Sequence, residues 1–383
     1  MQGFKNALIY VEGKGIIKTN LAVENGLIKY IGDDASKITN AYPCIEGQVV
    51  VAGFIDQHIH GAGGADAMDG TMEALSTIAN AVASEGTTTF LATTMTQSQQ
   101  NILKAMNAVN EYIKADKPEG AKVLGIHLEG PFISVKHIGA QPLEYVAKPD
   151  KEVFDKYNSA SGNNIKIVSL APEVEGADEL IAHLNKKGIV ASAGHTDAGY
   201  SDIEKAINSG LKNITHTYNA QKPLHHREVG TVGSAMLFDS LNCEAICDTI
   251  HLSIPAIKLL IKNKPKGKFT LITDSMRAKH LCDGISELGG QKVIVKNGEA
   301  RLENGALAGS ILKMNDAIKN LVTKCDVSFT DAIDYATINP AKNLGIYDRA
   351  GSIKEGKNAD FAVLNEDFSV ALTIRNGNII YSK

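Results

Sequence analysis

Between residues 49 and 274 short apolar runs alternate with segments of helical periodicity, which restricts the chain to folds with a parallel sheet and crossover helices. The apolar runs number eight, at 49–60, 87–94, 123–129, 165–172, 189–195, 213–219, 243–251 and 269–274. Helical segments repeat apolar residues at i, i+3, i+4 and i+7, as in Leu75, Ile78, Ala79 and Val82, or Met314, Ala317, Ile318 and Leu321. Eight βα units of this length predict a closed (β/α)8 TIM-like barrel of the α/β class rather than an open sheet. A barrel demands one large core, and 44% hydrophobic residues with 21% charged ones suit a globular chain that can bury it.

The ends of the chain have a different texture. Residues 4–48 read as short strands, with Asn25-Gly26 between Leu21-Ala22-Val23 and Leu27-Ile28-Lys29-Tyr30-Ile31, a strong hairpin signal. The same signal returns at Asn376-Gly377, between Leu372-Thr373-Ile374-Arg375 and Ile379-Ile380-Tyr381. We therefore expect a small β-sandwich built from both termini, residues 1–49 and 349–383, around a catalytic barrel at 50–348. A net charge of −4 leaves no basic footprint for nucleic acid or an anionic membrane. The five cysteines are scattered and odd in number, which fits reduced thiols; Cys243 and Cys247 read as small buried hydrophobes. Met1 to Tyr10 carry no signal-peptide pattern and no run reaches 18 apolar residues, so the expected location is cytoplasmic.

Barrel active sites gather at the C-terminal ends of the strands. Six of the eight runs end there in metal-ligating or acid/base residues: His58 and His60, Glu129, His195, His216, His251 and Asp274. On an extended strand His58 and His60 share a face and can offer imidazole nitrogens to one ion. With 11 His in the chain, roughly 0.3 such pairs arise by chance, so the pair acquires meaning from the other strand ends. Glu129, His195 and His216 have the two-His, one-carboxylate composition of catalytic zinc sites that keep a position for water. Asp274 is placed to take a proton from that water and return it to a leaving group. His127, two residues before Glu129, reads as a support behind the ligands. The irregular segment 132–149 directly follows a strand end and reads as a functional loop.

These segments resemble the N-acetylglucosamine-6-phosphate deacetylases of the amidohydrolase superfamily. The resemblance spans essentially the whole chain. It rests on Ala52-Gly53-Phe54-Ile55-Asp56 with His58 and His60, Leu128-Glu129-Gly130-Pro131-Phe132, Gly194-His195-Thr196, Thr215-His216-Thr217-Tyr218-Asn219-Ala220, Pro223-Leu224-His225-His226-Arg227-Glu228, Thr273-Asp274-Ser275-Met276 and Leu307-Ala308-Gly309-Ser310. It implies hydrolysis of the acetamide of N-acetyl-D-glucosamine 6-phosphate in amino-sugar catabolism, with metal on Glu129, His195 and His216 and with Asp274 as the acid/base. It implies substrate contacts at Ala140, Gln141, Asn219, Ala220, His251, Leu307, Ala308 and Gly309. It also implies a homodimer in which Arg227 reaches the phosphate in the neighbouring active site. Where the family often carries a histidine this chain has Gln141, which can donate a hydrogen bond but cannot carry a proton. Members of the family keep or lack the strand-one histidine pair, so the resemblance admits one or two divalent ions, of Zn, Fe, Mn, Co or Ni. The galacto epimer as substrate, another amidohydrolase activity, and a non-catalytic sugar-phosphate sensor are the alternative readings.

Overall fold

The computed structural model describes residues 1–383. Its centre is a parallel eight-stranded sheet. The strands are one, Phe54–Ile59; two, Thr87–Thr93; three, Lys122–Glu129; four, Ile165–Leu170; five, Val190–Ala193; six, Leu211–Ile214; seven, Asn242–Ile246; and eight, Phe269–Ile272. Each pairs with its neighbours in chain order. Strands one and eight close the barrel without a continuous ladder. The Asp274 N–H donates to the His58 carbonyl at 2.9 Å, and the N–H groups of His60 and Gly61 both donate to the Ser275 carbonyl at 2.9 Å. Deeper in the seam the Thr273 hydroxyl donates to Asp56 Oδ2 at 2.5 Å.

Helices cover the outside as their periodicity requires. In Met72–Ala83 the buried face is Leu75, Ile78, Ala79 and Val82, and Thr71 caps the first turn by accepting from the Ala74 N–H. In Met314–Lys324 it is Met314, Ala317, Ile318 and Leu321. Cys243 and Cys247 are free thiols buried in this core. No helix is long and apolar enough to cross a membrane.

Two apolar runs divide differently from the sequence reading. The run 49–60 is two strands: Val49–Ala52 pairs antiparallel with Phe361–Leu364 in the terminal sheet, and only Phe54–Ile59 enters the barrel. Gly53 is the corner between them, where a Cβ would lie 2.2 Å from the Thr88 side chain. The run 243–251 also breaks, since strand seven ends at Ile246 and His251 stands five residues beyond it.

The terminal sheet joins Gln2–Val11, Gly15–Glu24, Leu27–Gly32, Asn40–Ala41 and Val49–Ala52 to Phe361–Leu364, Val370–Arg375 and Asn378–Ser382. Both Asn-Gly pairs are two-residue hairpin turns with positive φ at both residues (52° and 74° at Asn25-Gly26, 47° and 78° at Asn376-Gly377), as a type I′ turn requires. The sheet curls until these turns meet: the Ala359 N–H donates to the Gly26 carbonyl at 2.8 Å, and the Tyr42 hydroxyl donates to the Gly377 carbonyl at 2.6 Å. Phe4 then packs edge-on against Phe361, 5.6 Å between ring centres, inside a small sandwich-like core. A third sheet, Gly284–Leu288, Gln291–Lys296 and Glu299–Leu302, follows strand eight and was not anticipated.

Candidate active site

The barrel delivers its chemistry at a common register. His195, His216 and Asp274 each stand two residues past the end of their strand, at φ of 48°, 30° and 47°. Left-handed backbone at non-glycine residues costs about 1–2 kcal/mol each, and such strain persists where surrounding structure fixes it. Here it turns three side chains inward over the barrel mouth. Glu129 is the last residue of strand three, His58 lies within strand one and His60 directly follows it. All six are buried.

Two sets of donor atoms result. Glu129 Oε1, His195 Nε2 and His216 Nε2 lie 2.9, 3.2 and 3.3 Å from one another. A tetrahedral ion with bonds of about 2.0–2.1 Å keeps its ligands about 3.3 Å apart. The second set is His58 Nε2 and His60 Nε2, at 3.4 and 3.2 Å from Asp274 Oδ1 and at 3.5 and 3.3 Å from the two Glu129 oxygens. Glu129 thus touches both sets. His58 Nε2 is buried without a hydrogen-bond partner.

The electrostatics ask for positive charge. Burial disfavours a proton on His58, yet Asp274 and Glu129 outweigh it and lift its pKa to about 9. His60 is likewise raised well above its ordinary value, against burial, by Asp274 and Glu129. Burial alone would raise Asp274, but His58 and His60 bring it down to about 2. These carboxylates are ionised and either protonated rings or a bound cation must balance them, so the donor set fits a divalent metal.

Contacts behind the donors orient them. His195 Nδ1 faces the His137 carbonyl at 2.9 Å, which makes Nδ1 the protonated nitrogen and leaves Nε2 its lone pair. Gly139, at φ 55°, passes so close that a Cβ would sit 3.2 Å from His195 Cε1. His127 has both nitrogens engaged, Nδ1 with the Gln57 carbonyl at 3.0 Å and Nε2 with Ser169 Oγ at 2.7 Å. Burial, with His58 adding to it, lowers its pKa to about 4, so it is a neutral support with no lone pair for a metal. Sequence reasoning missed Glu244, a fully buried carboxylate in strand seven facing His58 Nδ1 at 3.2 Å. Its signal was a lone charge inside the apolar run Asn242-Cys243-Glu244-Ala245-Ile246.

Above the donors opens a cavity of about 220 Å³. Of the residues expected to meet substrate, Ala140, Gln141, Asn219, Ala220, His251, Leu307 and Gly309 line it, and Ala308 is buried behind its wall. Gln141 accepts from the Thr96 N–H at 2.7 Å and donates to Glu129 Oε2 at 2.8 Å, so one amide N–H serves a metal-ligating carboxylate. His251 Nδ1 is held by Asp248 Oδ2 at 2.6 Å. Met95 and Leu288 complete the apolar wall and were not foreseen. Arg227 does not enter this cavity; it lies in an exposed loop, and its Nη1 donates to His226 Nε2 at 2.7 Å. The cavity lining contains neither Lys nor Arg.

The amidohydrolase family model matches residues 49–380. The N-acetylglucosamine-6-phosphate deacetylase of Bacillus subtilis (strain 168) is 42% identical over 381 residues, covering 98% of this chain and 96% of the relative. Among solved structures, the N-acetylglucosamine-6-phosphate deacetylase of Thermotoga maritima superposes with a TM-score of 0.90 at 36% identity, over 100% of both chains. A mutant of the Mycobacterium smegmatis enzyme, solved in complex with N-acetyl-D-glucosamine-6-phosphate, superposes with a TM-score of 0.91 at 27% identity, over 100% of this chain and 99% of that one. Sequence, fold and donor geometry agree: the chain belongs to the amidohydrolase family, on the branch of its N-acetylglucosamine-6-phosphate deacetylases.

Proposed function

We propose that the chain hydrolyses the acetamide of N-acetyl-D-glucosamine 6-phosphate to D-glucosamine 6-phosphate and acetate, in amino-sugar catabolism. The observation that carries this reading is the Glu129, His195, His216 donor set beside an ionised Asp274 at the base of the cavity. Glu129, His195 and His216 would hold a divalent ion, whose chemistry there would be a lowered water pKa, about 7 in favourable sites, and polarisation of the amide carbonyl. Asp274 accepts one water proton as the hydroxyl adds to the acetyl carbon, then delivers it to the amine nitrogen as the C–N bond breaks. His251, fixed by Asp248, and the Ala140, Asn219 and Ala220 edges orient the sugar. We assign these steps to the barrel, which begins at Phe54 rather than at residue 50 and runs to 348, with 1–52 and 349–383 as an accessory sheet.

We further propose two ions, the second to be held by His58, His60 and Asp274 with Glu129 shared, because His58 Nε2 and His60 Nε2 lie 3.4 and 3.2 Å from Asp274 Oδ1 and 3.5 and 3.3 Å from the Glu129 oxygens. With neither Lys nor Arg lining its own cavity, the subunit is suited to receive a guanidinium from outside for the phosphate. An exposed Arg227 beside Leu224, itself 53% exposed, supports a homodimer in which this guanidinium serves the neighbouring site. A phosphorylated substrate and five unpaired cysteines support a cytoplasmic setting. Acetate release by metal-reconstituted protein tests the assignment, with N-acetylglucosamine 6-phosphate expected to give the highest kcat/KM. A higher value for the galacto epimer would transfer the assignment to that sugar, and no turnover of either would leave a sensor.

A further inference from the structure

Beneath the two donor sets a third cluster, His58, His127 and Glu244, brings three ligand-type atoms together. Its donors are already spent. His127 has both nitrogens hydrogen-bonded. Glu244 accepts four N–H groups: Gln57 Nε2 at 2.6 Å and Asn213 Nδ2 at 3.1 Å on Oε1, His58 Nδ1 at 3.2 Å and the His216 backbone N–H at 3.3 Å on Oε2. A carboxylate offers about four lone-pair sites and no donor. Glu244 can only accept, so His58 must present Nδ1–H to it. The lone pair of its neutral ring then lies on Nε2, the buried atom without a partner that faces Glu129 and Asp274.

We infer that Glu244 is a positioning residue for the metal centre: it fixes the His58 tautomer so that Nε2 is the donor to the second ion, and it braces the first through the His216 main chain. This rests on the two-ion reading above. The link to His58 is through the ligating ring itself, whereas the link to His216 is through a backbone N–H that other bonds help to fix. The Thr215 N–H donates to the Ala193 carbonyl at 2.9 Å and the Thr217 N–H to the Glu244 carbonyl at 2.9 Å. Loss of the carboxylate should therefore fall unequally on the two ions.

The test is chelator titration of zinc-loaded protein, with metal content read directly, for wild type, Glu244→Gln, and the double variant His58→Gln, His60→Asn. In Glu244→Gln an amide N–H replaces an acceptor, and the weaker ion should lose about 10–100-fold in affinity, the usual range for partners behind metal ligands. The tighter ion should change far less. Gln57→Leu removes the shortest donor to Glu244, along with the acceptor of Asn343 Nδ2, and should weaken the same ion by a smaller factor, which keeps the test open should Glu244→Gln not fold. Wild type holding two ions, with both variants retaining them at wild-type affinity or losing them equally, overturns the role of Glu244. Wild type holding one ion that survives in the double variant overturns the two-ion reading itself, and the inference with it.

Discussion

Replacing Asp274 with Asn tests the proton-transfer step without disturbing the fold, because the main chain of this residue is held independently of its side chain. Its N–H is bound to the His58 carbonyl at 2.9 Å, and its carbonyl accepts from the Ser310 N–H at 2.8 Å. An amide of the same shape leaves those bonds in place. It also leaves Glu129, His195 and His216 untouched, so the ion on that set should remain. What disappears is the group that takes a proton from water, and with it the carboxylate assigned to the second ion beside His58 and His60. General acid–base groups contribute about 10²–10⁴-fold, or about 2.7–5.4 kcal/mol on the barrier, and kcat should fall by that factor. The assay is acetate release from N-acetylglucosamine 6-phosphate at saturating substrate, normalised to measured metal content. A kcat within about tenfold of wild type at equal metal content would lie below the general acid–base range and remove Asp274 from that role.

Arg227→Ala should raise KM for the phosphorylated sugar about ten- to hundredfold, from the loss of charge-assisted hydrogen bonds worth about 1.5–3 kcal/mol. If the variant still discriminates it from unphosphorylated N-acetylglucosamine as wild type does, the phosphate is bound elsewhere. The double variant His58→Gln, His60→Asn should reduce metal stoichiometry from two to one; one ion in both proteins refutes the binuclear site. Far from the substrate, buried Glu85 accepts from Lys279 Nζ, His280 Nε2 and the Met314 N–H, and against its burial Lys279 and His280 hold its pKa below the ordinary value. Its folded pKa lies under the unfolded one, so its contribution is complete above the ordinary glutamate range and fades as pH falls through the folded value. Glu85→Gln strands the buried Lys279 charge and should cost about 3–5 kcal/mol at neutral pH. Denaturant midpoints measured from pH 7 to pH 3 check this, and a variant as stable as wild type at pH 7 contradicts it.

Periodicity made the barrel legible because each βα unit announces itself locally: a short apolar run, then a helical stripe such as Leu75, Ile78, Ala79 and Val82. The site was legible for a related reason, since a (β/α)8 fold says in advance which end of each strand faces the cavity. Features set by tertiary context were not. Phe54–Ile59, with Asp56, Gln57 and His58, is the more polar of the two runs, but composition does not say which sheet takes Val49–Ala52; the division at Gly53 depends on Phe361–Leu364, three hundred residues away. His251 was placed on strand seven because the apolar run continues past Ile246, yet the Asp248 carboxylate takes the N–H groups of Ile250 and His251 and turns the chain there. The sheet at 284–302 could have been found. Val293 and Val295 alternate with exposed residues, and Asn297-Gly298 is a third two-residue turn between paired Lys296 and Glu299. Glu244 stands out as a lone charge in an apolar run, but its role lay outside reach, since what it does depends on a histidine 186 positions earlier.

The terminal sheet carries a consequence for synthesis. Val49–Ala52 is flanked by Gln2–Val11 on one side and by Phe361–Leu364 on the other. On a ribosome, made at about 5–20 residues per second, the first partner is available at once and the second only when nearly the whole chain has emerged. For tens of seconds the nascent protein therefore presents an apolar strand with an open edge, the geometry that invites pairing with another chain. Phe4, which has Tyr42 on one side early, lacks Phe361 on the other for the same interval. Every residue assigned to the active site, from His58 to Gly309, precedes residue 361, so 361–383 act as a closing latch: they cover this edge and, through Ala362, Leu364 and Val370, complete the barrel core.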